Sequence, residues 1–335
     1  MRVLITGGTG FIGSHMVMHL LQHGIECVVI DNLSNSYIET IDRIKNQVQI
    51  EHKLHFHEVN ITDMESLETI MRSYDKFDAC IHFAGVKAVG ESVQNPLKYY
   101  QNNVVGSYTL LKLLQKYNCR NLIFSSSSTV YGQYSSLNIL ETEKTSPINP
   151  YGRSKLIVED MLKDISISEP GKWNIDILRY FNPVGGKLGE YPRGKPKNLF
   201  PYVLQVIKGC ERKVRVFGDT YLTKDGTGVR DYIHVMDLVE AHFMCLKNIA
   251  DRKKNNENTQ CRTYNIGTEV GTSVLEVIKK FEEVAQQTIP YSLCSIRPGD
   301  VGASVCNTSK IQNEIGWVSK YTVADAIKDL LLENL

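Results

Sequence analysis

Apolar and polar positions follow a regular rhythm through the first half of this chain. Arg2 to Thr6 is a short β-branched apolar run, a glycine-rich turn follows, and Ile12 to His23 then repeats apolar residues at helical spacing. This pattern predicts strand, loop and helix. Further strand-like runs occur at Cys27 to Ile30, Leu54 to Val59, Ala79 to Phe83, Asn121 to Ser125 and Ile175 to Tyr180, separated by helical patterns that include Met64 to Ser73, Asn103 to Tyr117 and Tyr151 to Ser166. Such alternation predicts an α/β fold, with a parallel sheet covered on both faces, because each crossover helix packs back on the sheet. The rhythm breaks near residue 182, where Pro183, Gly185, Gly186, Gly189, Pro192, Gly194 and Pro196 form an irregular stretch. A boundary is therefore expected there. Residues 1–182 form the first domain, with some later segments packing back on it, and 183–335 a smaller mixed α/β domain. Helices are expected in the second part at Leu199 to Lys208, Val235 to Leu246, Ser273 to Ala285 and Val323 to Leu332, with the polar tract Asp251 to Asn258 as a solvated loop.

Composition narrows the chemistry. Of 335 residues, 42% are hydrophobic and 22% charged, enough apolar material for a large core. A net charge of +1 supplies no field for nucleic acid or an anionic membrane, so an anionic ligand needs a local site. The eight cysteines show no C-x-x-C pair and no metal-ligand spacing with histidine, which reads as free thiols, a reducing compartment and no metal. With no membrane-length apolar run and no basic leader pattern, the expectation is a cytoplasmic protein.

The first turn reads Thr6-Gly-Gly-Thr-Gly-Phe-Ile-Gly13, so Gly7, Gly10 and Gly13 form G-x-x-G-x-x-G between a strand and a helix. Glycines let a backbone approach a pyrophosphate, and the helix start presents unpaired N–H groups to it. A glycine trio alone is weak, and its strand-loop-helix setting is what gives it weight. Asp31 ends the second strand at roughly the 20-residue spacing expected of a carboxylate on the adenosine ribose. A carboxylate there repels a 2′-phosphate, so the expected cofactor is NAD.

Tyr151-Gly-Arg-Ser-Lys155 fits Tyr-x-x-x-Lys, and so do Tyr108 to Lys112 and Tyr191 to Lys195. Context favours the first. Tyr151 follows Pro150 at a helix start, Lys155 lies on the same face, and both come after a strand ending in the run Ser125 to Thr129. This arrangement resembles the serine, tyrosine and lysine of short-chain dehydrogenase/reductases, in which Ser127 takes the place of the family serine. Removing a hydride from a secondary alcohol needs a base for its proton. A free tyrosine titrates near pH 10, and a nearby ammonium, Lys155, together with the positive nicotinamide ring is expected to favour its phenolate. Ser127 is expected to steady the developing alkoxide.

Longer segments sharpen the likeness. His82 to Ser92, Tyr99 to Asn103, Arg179 to Gly185, Asn198-Leu199 and Asp225 to Val235 closely resemble the UDP-glucose (UDP-galactose) 4-epimerase family over essentially the whole chain. The resemblance implies a Rossmann-type doubly wound sheet with a smaller UDP-sugar-binding domain, NAD, a UDP-hexose substrate and a homodimer formed through helices, with Asn103 to Tyr117 and Tyr151 to Ser166 as candidates. It also implies NAD contacts at Phe11, Ile12, Asp31, Asn32, Asn35, Ser36, Asn60, Ile61, Phe83, Ala84, Gly85, Lys87, Asn102, Tyr151, Lys155 and Tyr180. The UDP-sugar is expected at Lys87, Ser127, Tyr151, Phe181, Asn182, Asn198, Leu199, Phe217, Arg230, Arg297, Asp300 and Ser304. Arg230 and Arg297 suit a diphosphate, Asp300 a ribose hydroxyl and Phe217 a uracil face.

Two positions depart from the family pattern. Asn60 stands where the family has an aspartate for the adenine amine, and Ser304 where bacterial enzymes restricted to non-acetylated sugars carry tyrosine. A small residue at 304 leaves room for an N-acetyl group, so turnover of UDP-GlcNAc and UDP-GalNAc is expected too. The implied reaction passes through a bound 4-keto sugar that turns over before hydride returns. Rival readings are a 4,6-dehydratase, a UDP-glucuronate decarboxylase and a catalytically silent NAD-binding regulator. The first needs an Asp-Glu pair where Ser128-Thr129 stand, and the last is opposed by the intact Ser127, Tyr151 and Lys155.

Overall fold

The computed structural model describes residues 1–48, 51–186, 198–254, 260–297 and 299–334. Its strands, in chain order, are β1 (Arg2–Thr6), β2 (Glu26–Asp31), β3 (Leu54–Glu58), β4 (Ala79–His82), β5 (Asn121–Ser127), β6 (Ser136–Ile139), β7 (Asn174–Tyr180), β8 (Asn182–Val184), β9 (Val214–Phe217), β10 (Val229–His234), β11 (Cys261–Ile266), β12 (Gly271–Ser273), β13 (Tyr291–Cys294) and β14 (Ala303–Cys306). The main sheet has seven strands in the order β11-β7-β5-β4-β1-β2-β3, and every pairing in it is parallel. The order reverses at β1, so β1 and β4 diverge and open a crevice at their carboxyl ends, the usual ligand position in doubly wound folds.

Both faces of this sheet are buried, which explains why its strands read as nearly continuous apolar runs. Val3, Ile5, Cys27, Val29, Ile81 and Leu178 join one core layer. Their neighbours Leu4, Val28, Ile30, Cys80, Leu122 and Ile177 join the other. The first layer packs on α1 (Phe11–Gln22) and α2 (Glu39–Gln47); the second packs on α3 (Met64–Arg72). After α4 (Val89–Gln94) and α5 (Pro96–Tyr99), the chain passes through a π-helical turn, Tyr100–Val105, into α6 (Gly106–Lys116), which packs on the second layer, as does α7 (Pro150–Ser168).

The smaller lobe holds α8 (Leu199–Ile207), α10 (Val274–Ala285) and α12 (Val323–Asn334) around a core with Phe200, Phe281 and Ile327. Beside them lie the sheet β12-β10-β14-β6, with β8 also on β10, and the pair β13-β9. Later chain also returns to the first layer: β11 pairs β7, and α9 (Val235–Lys254) contributes Leu238, Val239 and Leu246, with α11 (Ser309–Ile315) adding Ile311. The expectation of a loop beginning at Asp251 is corrected, because α9 continues to Lys254; the rest of that tract, from 255, lies outside the described residues, as do 187–197. All eight cysteines are free. Among the described residues no helix is long and apolar enough to cross a membrane.

Candidate active site

The glycine loop closes on itself by backbone contacts. Gly7 N–H donates to the Ile30 carbonyl at 2.8 Å, Gly10 N–H to Gly7 at 3.2 Å, and Ser14 N–H to Gly10 at 2.9 Å. Gly7 has φ +74°, and a Cβ there would lie 2.6 Å from the Ala84 nitrogen; a Cβ on Gly13 would overlap the Gly7 carbonyl oxygen. Only glycine permits this cradle. The first turn of α1 carries no acidic residue, so nothing opposes an anion at its positive end. Asp31 is held by its loop: Thr9 N–H and Leu33 N–H donate to it at 3.2 and 3.0 Å and Ser36 Oγ at 3.3 Å. The donor set fits a dinucleotide: a cradle for pyrophosphate and a carboxylate at the next strand end.

Asn60 is less free than its place suggests. Its Oδ1 accepts from both the N–H and the hydroxyl of Thr62 at 3.0 Å, which fills the two acceptor sites of that oxygen and leaves the amide donors available. Ile61 packs where a Cβ on Gly106 would lie 2.6 Å away. Asn32 caps its own loop, its Oδ1 accepting from Ser34 N–H at 3.2 Å, and Asn102 donates to the Lys98 carbonyl at 2.8 Å. Lys87 reaches over the Phe11 ring at 5.9 Å, and the protein crowded round it lowers its ammonium pKa although the side chain keeps solvent contact in the cleft.

Tyr151 and Lys155 sit in the first turns of α7. Asn149 caps that helix by accepting from Gly152 N–H at 2.8 Å, with Pro150 at its first position, so the entry of Tyr151 is fixed. Lys155 is buried, donates to the Ser125 carbonyl at 2.7 Å and lies 4.9 Å from the Phe124 ring centre. Burial lowers its pKa to about 8, against the pull of Glu159. Burial raises the Tyr151 phenol, and a hydrogen bond with Ser127 draws it back down. The Lys155 ammonium is anchored on the β5 carbonyl of Ser125. Ser127 also accepts from Thr129 Oγ1 at 3.0 Å.

Behind this trio stand residues that motif reading passed over. Asn103 is buried on the π-helical turn, accepts from Val86 N–H at 2.8 Å and donates to Ser154 Oγ at 2.9 Å, tying the Gly85–Lys87 loop to α7. Glu159, one turn past Lys155, accepts from Ser126 Oγ at 2.5 Å and from both arms of Arg179 at 3.0 and 2.7 Å. His242 on α9 lies 2.5 Å from the Tyr180 hydroxyl and 5.0 Å, ring to ring, from Phe83. Its Nδ1 faces the Leu238 carbonyl at 2.7 Å, so Nε2 accepts from Tyr180, and burial keeps the ring neutral with a pKa of about 4. The only sequence signal for these groups is polar character at positions of otherwise apolar pattern.

The remaining expected residues gather in the smaller lobe. Asn182 lies on β8 beside Tyr232 of β10, Asn198 caps the start of α8 ahead of Leu199, and Phe181 is packed in a small core with Val130, Tyr131 and Ile139. Arg230 and Ser304 are register partners across β10 and β14. Arg297 donates to Asp300 at 2.8 Å, and its guanidinium covers the Phe217 ring at 4.7 Å, occupying a face expected for uracil. The Tyr108–Lys112 pair lies on α6, with Tyr108 exposed, and Tyr191–Lys195 lies outside the described residues.

Comparison with known proteins agrees with this geometry. The family model described as GDP-mannose 4,6 dehydratase matches residues 4–330. UDP-glucose 4-epimerase 2 of Arabidopsis thaliana is 47% identical over 333 residues, covering 98% of this chain and 93% of that protein. The crystal structure of UDP-glucose 4-epimerase from Bifidobacterium longum in complex with NAD+ and UDP matches with a TM-score of 0.92 at 41% identity, covering 99% of this chain and 98% of that one. The UDP-Glc/GlcNAc 4-epimerase of Campylobacter jejuni matches with a TM-score of 0.85 at 33% identity, covering 99% and 98%. Identity spread over nearly the whole length, on a fold that brings Tyr151, Lys155 and Ser127 to one strand end, means that the chain belongs to the UDP-glucose 4-epimerase family of the extended short-chain dehydrogenase/reductases.

Proposed function

We propose that this protein interconverts UDP-glucose and UDP-galactose by inverting C4 of the bound hexose, using NAD. The observation that carries the reading is a helix start that places Tyr151 and the buried Lys155 one turn apart, with Lys155 donating to the Ser125 carbonyl at the end of β5, beside a dinucleotide cradle in a chain 47% identical to a UDP-glucose 4-epimerase. Bound NAD supplies the hydride acceptor and donor for C4. Tyr151 takes the proton of the 4-hydroxyl and later returns it, Ser127 holds the sugar oxygen, and Lys155 keeps a positive charge near the site at neutral pH. Arg230 and Arg297 grip the diphosphate while the 4-keto hexose turns about its phosphate linkage. The carboxylates that a dehydratase needs are missing: Ser128 and Thr129 follow Ser127, and Thr129 donates to it.

The finer assignments belong to this proposal. Residues 1–182 with the returning β11 and α9 form the NAD domain, and the remaining parts of 183–335 the sugar-nucleotide domain. The small Ser304 beside Arg230 supports acceptance of N-acetylated sugars. Exposed apolar side chains on consecutive elements, Val93 (63%) and Leu97 (76%) with Tyr108, support a homodimer in which the α4–α6 face takes part; a Leu97→Asp variant is expected to elute as a monomer where the native chain elutes as a dimer. Eight free thiols suit a cytoplasmic setting. The deciding experiment incubates purified protein with UDP-galactose and, separately, UDP-GalNAc without added NAD. UDP-glucose and UDP-GlcNAc are the expected products, and equal background rates for native protein and Tyr151→Phe would sink the reading.

A further inference from the structure

We propose that Glu159 is a positioning residue: with Arg179 it forms a buried clamp between α7 and β5 that fixes Tyr151 and Lys155 of the helix against Ser127 of the strand. The inference rests on the reading that these three groups act on the hexose 4-hydroxyl. Glu159 lies one helical turn beyond Lys155, so both side chains project from one face of α7, and both are buried. Lys155 donates to the Ser125 carbonyl at 2.7 Å, and Glu159 accepts from the Ser126 hydroxyl at 2.5 Å. Successive turns of the helix therefore grip successive residues of β5, and the next residue along that strand is Ser127.

The carboxylate is itself immobilised. Nε and Nη2 of Arg179 donate to its two oxygens at 3.0 and 2.7 Å, a bidentate fork whose geometry allows little slack. Arg179 stands on β7 as the register partner of Ser126, so the clamp ties two adjacent strands to the helix at one level. Its remaining arm, Nη1, donates to the Tyr131 hydroxyl at 2.9 Å and to the Glu141 carbonyl at 3.2 Å, which fastens the turn after Ser127 as well. Ser127 is thus braced on both sides by one ion pair. Stability alone does not account for this arrangement, because burying two charges costs much of what their attraction returns, and an apolar pair of similar volume is often as stable. An apolar pair has no directional tie to Ser126 and Tyr131, and reacting groups misplaced by about 1 Å can lose about a hundredfold in rate.

The paired substitution Glu159→Met with Arg179→Met tests the clamp, because it keeps apolar bulk and leaves neither buried charge alone. Lys163, 3.9 Å from Glu159, is half-exposed and stays solvated. Turnover of UDP-galactose, titration with UDP, co-purified NAD and thermal melting are measured together. The paired variant is expected to keep a native-like melting temperature and NAD content, with UDP Kd within about twofold and kcat lowered by about 10- to 100-fold. Ser126→Ala cuts only the tie to β5 and keeps the ion pair, so kcat should fall by about three- to tenfold with binding unchanged. A kcat within about twofold of native in the paired variant overturns the proposal, as does the same result in Ser126→Ala if the paired variant does not fold. A loss of kcat matched by equal losses of UDP and NAD binding also overturns it, since the clamp would then be scaffolding alone. If the native protein does not epimerise UDP-galactose, the underlying functional reading fails instead, so the two failures are distinguishable.

Discussion

In the seven-stranded lobe the expected site residues already have protein partners, whereas in the smaller lobe they are sparsely tethered. Asp31 accepts from Thr9, Leu33 and Ser36, Lys155 donates to Ser125, and Tyr180 donates to His242. Across the cleft, Arg230 reaches, among the described residues, only the neighbouring Val229 carbonyl at 2.9 Å, and Arg297 pairs with Asp300 at a side chain more than half exposed. On the site assignment proposed above, the difference means a cofactor half preorganised for chemistry and a substrate half that keeps hydrogen-bonding capacity for a ligand that must arrive, turn and leave.

If that contrast is right, the largest loss comes from the preorganised side. Tyr151→Phe should lower kcat by about 10²–10⁴-fold while UDP affinity stays near native, as turnover and titration together would reveal. A fall in UDP affinity of the same size would break the division between the lobes.

The pH response of Lys155 is next in size. Its pKa lies at about 8 in the folded chain against an ordinary 10.5, so its charge is lost in the native state as pH climbs through about 8. Activity should therefore fall by roughly tenfold per unit above that pH. Stability should move the other way: between about 8 and 10.5 the unfolded chain binds more protons, so this residue's contribution rises with pH through that window and is lowest below it. Melting curves of native protein and Lys155→Met across this range check the sign, and parallel curves would count against it.

On the open side, Ser304→Tyr should cut turnover of UDP-GalNAc by at least about tenfold and leave UDP-galactose within about twofold, since steric exclusion acts only on the larger sugar. Equal effects on both would place the N-acetyl group elsewhere. The smallest change is expected for Asn60→Asp. Because Oδ1 already accepts twice from Thr62, a carboxylate there adds a free second oxygen able to accept from the adenine amine, and NAD binding should tighten by about 1 kcal/mol, measured by cofactor retention.

The same contrast governs what the amino-acid sequence reveals. Strands β1, β2, β4, β5 and β7 were legible to within a residue or two because both faces of each are largely buried and crossover helices punctuate them, and the half-exposed edge strand β3 was legible from its place between two helical patterns. Tyr151 and Lys155 could be picked from three matching pairs because strand ends and helix starts are themselves sequence-encoded. The arginines, Phe217 and Asp300 come together from β9, β10 and the 297–300 turn, separated along the chain, and only the family resemblance named them. His242 went unnoticed because a lone histidine in an apolar helical stretch usually signifies packing, and its role arises from being a neutral acceptor for Tyr180. The hydrogen bond from Lys155 to the Ser125 carbonyl is a side-chain outcome that spacing along a helix does not specify.

The strand Cys261–Ile266 also bears on how this protein is made. Because it covers the outer edge of β7, a nascent chain that has emerged only through residue 254 holds six parallel strands and an uncapped row of amide and carbonyl groups along Asn174–Tyr180. Such a rim invites pairing with another polypeptide. The later part of the chain, by sending β11 back to that rim, thus protects the part made first, and a truncation just ahead of residue 261 should yield an aggregating product rather than an isolated stable unit.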